Sequence, residues 1–300
     1  MRFDGRARGW IEQALGPRCT VVRARRLHGG VSSIVHDVTV SHASDSRRSH
    51  VVLRRTPRKS DVAGHDPVAE VANEALALTR LHGRALAPWP IAYDLTGEAC
   101  GAVSLLQTRL VGRPVLVPAD VRAWVGQLAI AVREVRDVDD DLTGLQTFRP
   151  WFEPGVASAP TWSRARSAWT DLHDELLRSL PPGGPHGVVH RDLHPGNVLF
   201  RRDRLSGIVD WTHMGRGPAE VDVSRCRVEI ALLAGIDAAD AFLHECRDVV
   251  PTYDLRWDAL VVLELAPWLP RLLEGIRFGA SVTLASMQHA CDALVIAAAG

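Results

Sequence analysis

Three hundred residues, 46% of them hydrophobic and 23% charged, have the proportions of a globular protein and exclude a disordered or fibrous chain. Lys plus Arg equals Asp plus Glu at 35 each, so no net field recruits nucleic acid or an anionic membrane, and any basic site has to be local. The length exceeds that of a usual single core and favours two lobes. The cysteines Cys19, Cys100, Cys226, Cys246 and Cys291 are odd in number and never form a CxxC pair. They argue against a disulfide framework or a zinc ribbon, and for a reducing, cytoplasmic setting. The opening MRFDGRARGWIEQ is charged and has no apolar run of the signal-peptide kind. ALVVLELAPWLP, later in the chain, is broken by Glu264 and two prolines and is too short to span a bilayer. The expectation is a monomer or homodimer with neither nucleic acid nor membrane as a partner.

In chain order, RGWIEQAL has helical spacing and CTVVRARRL reads as a strand. HGGVSS is a glycine turn, and in IVHDVTV the residues Ile34, Val38 and Val40 fall on one face of a period-two pattern. A polar turn, SHASDSRRS, leads to a third strand, HVVLRR, and TPRKSDVAGHDP is a loop of breakers and charges. VAEVANEALALTRLHG is helical and stops at Gly83; APWPIAYD and GAVSLLQTRL supply further strands. VGRP reads as a linker, and PADVRAWVGQLAIAVREV as an amphipathic helix with Asp120 near its start. Beyond it the chain is mostly helix and loop. Near residue 200, VLF, a polar turn RRDRLSG containing Gly207, and IVDW predict a β-hairpin with Asn197 at one end and Asp210 at the other. The pattern is α+β in two unequal lobes, residues 1–110 and 111–300.

VVHRDLHPGNVLF carries two chemical readings. His190, Asp192 and His194 in H-x-D-x-H offer two imidazoles and a carboxylate, the donor set of a transition-metal or metal-hydrolase site. In the other reading the hairpin returns Asp210 to the neighbourhood of Asn197, and this carboxylate and amide are oxygen donors of the kind Mg2+ takes. Asp192, on the loop ahead of the hairpin, is then placed to accept a proton from a substrate hydroxyl. The bland reading of Asp192 is a loop-capping carboxylate.

The spacing H-R-D, four residues, then Asn, with a later Asp, resembles the catalytic loop of protein kinases, but Asp210–Trp211 stands where D-F-G would and no A-P-E follows. The combination H-x-D-x-H-P-G-N, hairpin, V-D-W resembles the aminoglycoside phosphotransferase and choline kinase-like family of small-molecule kinases. The resemblance runs from Leu27 to the 230s. It implies a bilobal, protein-kinase-like fold: a small antiparallel sheet in a nucleotide-binding first lobe, and a larger, mostly helical catalytic and substrate-binding second lobe. It further implies ATP or GTP and Mg2+ as cofactors and a hydroxylated small molecule as substrate.

By that resemblance Asp192 is the base and Asn197 and Asp210 hold the metal. Gly29, Gly30, Val31, Ser32 and Ser33 form the nucleotide loop, where glycines let backbone amides approach phosphate. Arg54 stands where the family's strand lysine is usual; it keeps the charge but not the geometry. Glu74 is its expected ion-pair partner, with Glu70 as competitor. The backbone of Gln107, Thr108 and Arg109 is expected at the adenine edge. His190 and His194 shape the loop, and Asp222 ties its helix to it. Trp151, Trp162 and Trp169 read as core, or as acceptor contacts by family position. The acidic run DVDDD reads as a solvated helix end. The expected acceptor is an antibiotic such as an aminoglycoside or macrolide, and the alternative is a metabolite such as choline, homoserine or a sugar. The Arg54 departure leaves a nucleotide-binding pseudokinase as the reading of a different class.

Overall fold

The computed structural model describes residues 2–27, 33–43, 47–57, 66–84, 86–151, 159–275 and 282–300. The chain divides into two compact units, Met1–Val111 with Gly207–His213, and Gly112–Ser206 with Met214–Gly300. The segment Gly207–His213 thus groups with the first unit, which a contiguous division at residue 110 does not provide for.

The first unit contains α1 (Gly5–Leu15), β1 (Cys19–Arg26), β2 (Ile34–His42), β3 (Arg48–Thr56), α2 (Pro67–Arg80), β4 (Pro90–Asp94) and β5 (Val103–Thr108). The strands form one antiparallel sheet in the order β1-β2-β3-β5-β4. Ala7 and Ile11 of α1 pack with Val21, Val38, Val40, Val51, Leu53 and Leu106. Strand periodicity then decides where two consecutive arginines go. Arg55 shares its face with Leu53 and meets Asp4, the residue capping α1, at 3.4 Å. Arg54 faces the other way, where Glu74 of α2 meets it. α2 starts on the Asp66 side chain, which accepts the Val68 and Ala69 amides, with Pro67 in the first turn, where its missing N–H costs nothing. Its buried residues Val71, Glu74, Ala75 and Leu78 follow helical spacing, so one carboxylate stands inside an apolar stripe.

The second unit begins with α3 (Val121–Arg136), capped by Asp120, whose side chain accepts the Ala123 amide. It continues through α4 (Arg166–Arg178), β6 (Gly187–Val189), β7 (Val198–Arg201), β8 (Arg204–Ile208) and β9 (Gly215–Gly217). Then come α5 (Glu220–Ala234), α6 (Ile236–Glu245), α7 (Arg256–Leu265), α8 (Leu269–Gly275) and α9 (Leu284–Ala299). β6 pairs with β9, and β7 with β8. Leu128, Val132, Cys226, Ile230, Phe242, Leu260, Val262, Cys291 and Leu294 are buried among these helices. No helix among the described residues is long and apolar enough to cross a membrane.

The hairpin is present, and its turn falls within the expected RRDRLSG but is shorter than it, leaving Gly207 outside. Arg202 and Asp203 occupy it with φ of 52° and 60°. Two consecutive left-handed residues match the twist of flanking strands in a two-residue loop, and aspartate tolerates that conformation better than most side chains. Gly207 lies inside β8, where a Cβ would meet the Leu110 side chain at 2.5 Å.

Candidate active site

In the first unit the strand arginine gathers a polar cluster. Nη1 of Arg54 donates to Glu74 Oε2 at 2.8 Å, to Asp210 Oδ1 at 2.5 Å and to Thr212 Oγ1 at 2.7 Å. The Thr212 hydroxyl donates to the same Asp210 oxygen at 2.8 Å, and the Asn73 amide donates to the Thr212 carbonyl. Asp210 has φ of 66°, an unfavourable conformation for a side-chain-bearing residue that neighbours must enforce. Trp211, fully buried and bonded through its indole N–H to the Ile208 carbonyl at 2.9 Å, supplies that constraint. Burial pushes Glu74 up to about 7, against the pull of Arg54. Burial also disfavours charge on Arg54, but Asp210 and Glu74 outweigh it and hold the guanidinium more firmly protonated than usual.

In the second unit the loop after β6 is anchored from α5. The Asp222 carboxylate accepts the backbone amides of His190 at 2.8 Å and Arg191 at 2.7 Å, and Arg191 sits at φ 69°. Burial pushes Asp222 up to about 7, while those two amides pull it back. The Asn197 amide donates to the Asp192 carbonyl at 3.0 Å and to its carboxylate at 3.3 Å, locking the two ends of the loop together. Arg225 Nη2 lies 2.9 Å from Asp192 and 3.0 Å from Glu229. His194 bridges the same carboxylates, 3.7 Å from Asp192 and 3.3 Å from Glu229. Burial opposes charge on His194, but Glu229 and Asp192 prevail and push it up to about 10.

The two histidines do not converge as a metal pair. His190 is fully buried, with Nδ1 accepting the Asp192 amide at 3.3 Å, while His194 addresses the carboxylates. Among the described residues no group of three or more His, Cys, Asp and Glu side chains is arranged to hold a metal ion. Gly29, Gly30, Val31 and Ser32 lie outside the described residues; Ser33 is buried just ahead of β2. Gln107 and Thr108 are strand residues, and the amides expected at an adenine edge are engaged locally. Thr108 N–H donates to the Trp89 carbonyl at 2.9 Å and Arg109 N–H to the His50 carbonyl at 3.3 Å. Trp169 is core, donating to Asp292 at 2.9 Å with Trp162 packed edge-on, whereas Trp151 is exposed beside Arg191.

A profile described as the phosphotransferase enzyme family matches residues 24–256. The chain belongs to that family. Among curated relatives of this phosphotransferase-family chain, the homoserine kinase of Bradyrhizobium sp. (strain ORS 278) is 27% identical over 177 residues, which are 57% of this chain and 54% of the relative. The chain therefore spans about half the length of that relative. Among solved structures, a thermostable mutant of aminoglycoside phosphotransferase APH(4)-Ia in apo form superposes with TM-score 0.63 at 17% identity, covering 98% of this chain and 99% of that one. The same enzyme in a ternary complex with ADP and hygromycin B gives TM-score 0.62 at 16% identity, covering 94% and 96%. The expected family and the expected α+β, protein-kinase-like fold both hold, and the expected enzyme class is the one the family's name carries.

Asn197 in the second unit and Asp210 in the first each carry an oxygen donor of the kind a hard cation takes. The Asn197 nitrogen is committed to Asp192, and the Asp210 side chain is 38% exposed. Several charged groups around the family motif escape a reading of sequence alone. Arg225, Glu229 and Glu264 are such groups, although Asp222, Arg225 and Glu229 recur at i, i+3 and i+7 along α5. That spacing was the available signal. Thr212 and Asn73 carried none, since their importance depends on where the chain after β8 turns.

Proposed function

We propose that this member of the phosphotransferase enzyme family transfers the terminal phosphoryl group of ATP to a hydroxyl of a small molecule, with Mg2+. The observation that carries the reading is the catalytic loop: Asp192 fixed by Asn197 and Arg225, on a backbone held by Asp222. In this reading Asp192 receives and orients the acceptor hydroxyl. A carboxylate paired with a guanidinium is a modest base, which suits a loose transition state where the hydroxyl proton leaves late. Asn197 and Asp210 are each proposed as oxygen ligands to Mg2+, which when bound neutralises charge building on the transferred group. Arg54, oriented by Glu74, steadies the phosphates. Membership of the phosphotransferase enzyme family supports a phosphoryl donor.

The first expectation for the acceptor is an antibiotic such as an aminoglycoside or macrolide. The antibiotic kinases are matched at 16–17% identity and speak for the fold alone. The relative found at the level of sequence is named a homoserine kinase and supports the alternative, a hydroxylated metabolite, which we carry forward. ADP release on ATP with a panel of hydroxylated metabolites and antibiotics is the test. Turnover is expected with at least one acceptor and is expected to vanish in Asp210→Asn; near-normal turnover in that variant overturns the reading.

A further inference from the structure

At the margin of the first unit's sheet a thiol, an imidazole and a hydroxyl stand in series. Cys19 opens β1 and pairs directly with His42 at the end of β2, so the two side chains share one face of the sheet. Ser49 of β3 pairs with Val40, two residues before His42, and strand alternation puts it on the same face. Cys19 Sγ lies 3.4 Å from His42 Nδ1, and His42 Nε2 lies 2.7 Å from Ser49 Oγ. These contacts admit a consistent set of roles: with Nε2–H donating to Ser49 Oγ, the lone pair of Nδ1 faces the thiol. A nucleophile, a base within its reach and a third group orienting that base is the arrangement that activates a side chain for covalent chemistry. Cys19 also differs in access from the other cysteines. It is partly exposed, whereas Cys100, Cys226, Cys246 and Cys291 are buried. Three exposed arginines adjoin the series: Arg18 precedes Cys19, the Arg47 carbonyl accepts the His42 amide, and Arg48 precedes Ser49. Such charges act over about 10 Å at ordinary ionic strength, so this margin draws anions.

We propose that Cys19 is a site of covalent modification by small anionic disulfides, with His42 as its base and Ser49 holding the imidazole in position. The assignment is independent of the phosphotransferase reading. In the exchange, His42 Nδ1 takes the thiol proton as the Cys19 sulfur attacks one sulfur of the disulfide. A new S–S bond joins Cys19 to half of the reagent, the reagent's own S–S bond breaks, and the thiolate it releases takes up the proton. The Cys19 sulfur is oxidised and the released sulfur reduced, so the disulfide itself is the oxidant. The thiol hydrogen has a second acceptor in the Leu15 carbonyl, 3.4 Å away at the end of α1. A thiol that served only to cap that helix would react no faster for having His42 beside it, and on this point the two roles separate.

The test uses oxidised glutathione as the anionic disulfide and cystamine as its cationic counterpart, with adducts on each cysteine followed by intact and peptide mass. The full chain is expected to gain one glutathionyl group, on Cys19, and at low salt to gain it roughly threefold faster than it takes up half of cystamine. His42→Ala, shown folded by thermal melt, is expected to react roughly fivefold more slowly, and Ser49→Ala to fall between it and the parent. A second measurement needs no variant: alkylation of Cys19 by iodoacetamide in the native protein is compared with the same reaction in denaturing urea. A thiol served by a base is expected to react faster in the folded chain, although it is less exposed there. Equal glutathionylation of His42→Ala and the parent, or slower alkylation of Cys19 in the folded chain than in urea, overturns the role of His42. First modification at a different cysteine overturns the site, and equal rates with the two disulfides overturn the preference for anions.

Discussion

Arg54 makes three bonds from one nitrogen, and each partner depends on it differently. Glu74 is buried in the apolar stripe of α2 with Arg54 as its ion-pair partner, so removal of the guanidinium leaves a carboxylate with nowhere to go. Breaking such a buried pair by deleting one member costs about 3–5 kcal/mol, far more than the pair itself contributes. Arg54→Ala is therefore expected to lower stability by about that amount in chemical denaturation. Arg54→Ala combined with Glu74→Leu should recover much of the loss, because an apolar pair replaces the orphaned charge. A single variant as stable as the parent contradicts the cluster. Arg54→Lys separates charge from geometry: the ammonium restores the pair with Glu74 but cannot match the guanidinium's planar set of donors. The residue identities were legible from the motif, and the choice of Glu74 over Glu70 was an expectation. Thr212 as a third recipient was not legible, since it depends on the φ 66° turn at Asp210.

At the scale of elements, α5 organises the second unit's chemistry. It is buried nearly along its whole length yet carries Glu220, Asp222, Arg225, Arg227 and Glu229, each with a specific recipient. Glu220 accepts the Gly184 amide, and Arg227 pairs with Asp258 of α7. Asp222 is the member with the clearest loop function. Asp222→Ala strips two buried amides of their acceptor, at about 1–3 kcal/mol each, so a loss of about 3 kcal/mol is expected together with a fall in kcat. Asp222→Asn keeps one acceptor oxygen and should fall between; equal stability of all three forms by denaturation argues against the anchor. Periodicity located α2 and α3 closely because their apolar stripes are regular. It drew the hairpin turn too long, over all of RRDRLSG, because a glycine and a run of polar residues mask that only Arg202–Asp203 turn while Arg204–Gly207 already belong to β8. It also passed over α5's charges, whose recipients come from loops and helices distant in sequence.

For the whole molecule, buried ionisable groups set the direction of pH dependence. Burial raises Asp222 from 3.8 to about 7 and Glu264 from 4.5 to about 7, the latter against the Trp151 amide, Arg225 and Arg191. The folded chain then binds more protons than the unfolded chain between those limits, so these groups' contribution to stability falls as pH rises through that window. His194, raised from 6.5 to about 10, contributes stability that is complete below the lower value and is lost as pH climbs to the upper. The Tm is accordingly expected to decline from about pH 5 to about pH 8, and Glu264→Gln should make that decline shallower. An unchanged slope removes Glu264 as a contributor. The division into two lobes was readable from the shift of β-rich to helical pattern, but the return of Gly207–His213 to the first unit was not, because no local pattern records it.

The central claim is that Asp192 serves phosphoryl transfer to a hydroxyl. Its most direct test is mass analysis of acceptor incubated with ATP, Mg2+ and either the parent protein or Asp192→Asn, each shown folded by thermal melt. The parent is expected to add one phosphoryl group to the acceptor, and Asp192→Asn to add none. Phosphorylated acceptor formed by Asp192→Asn at close to the parent rate contradicts the account.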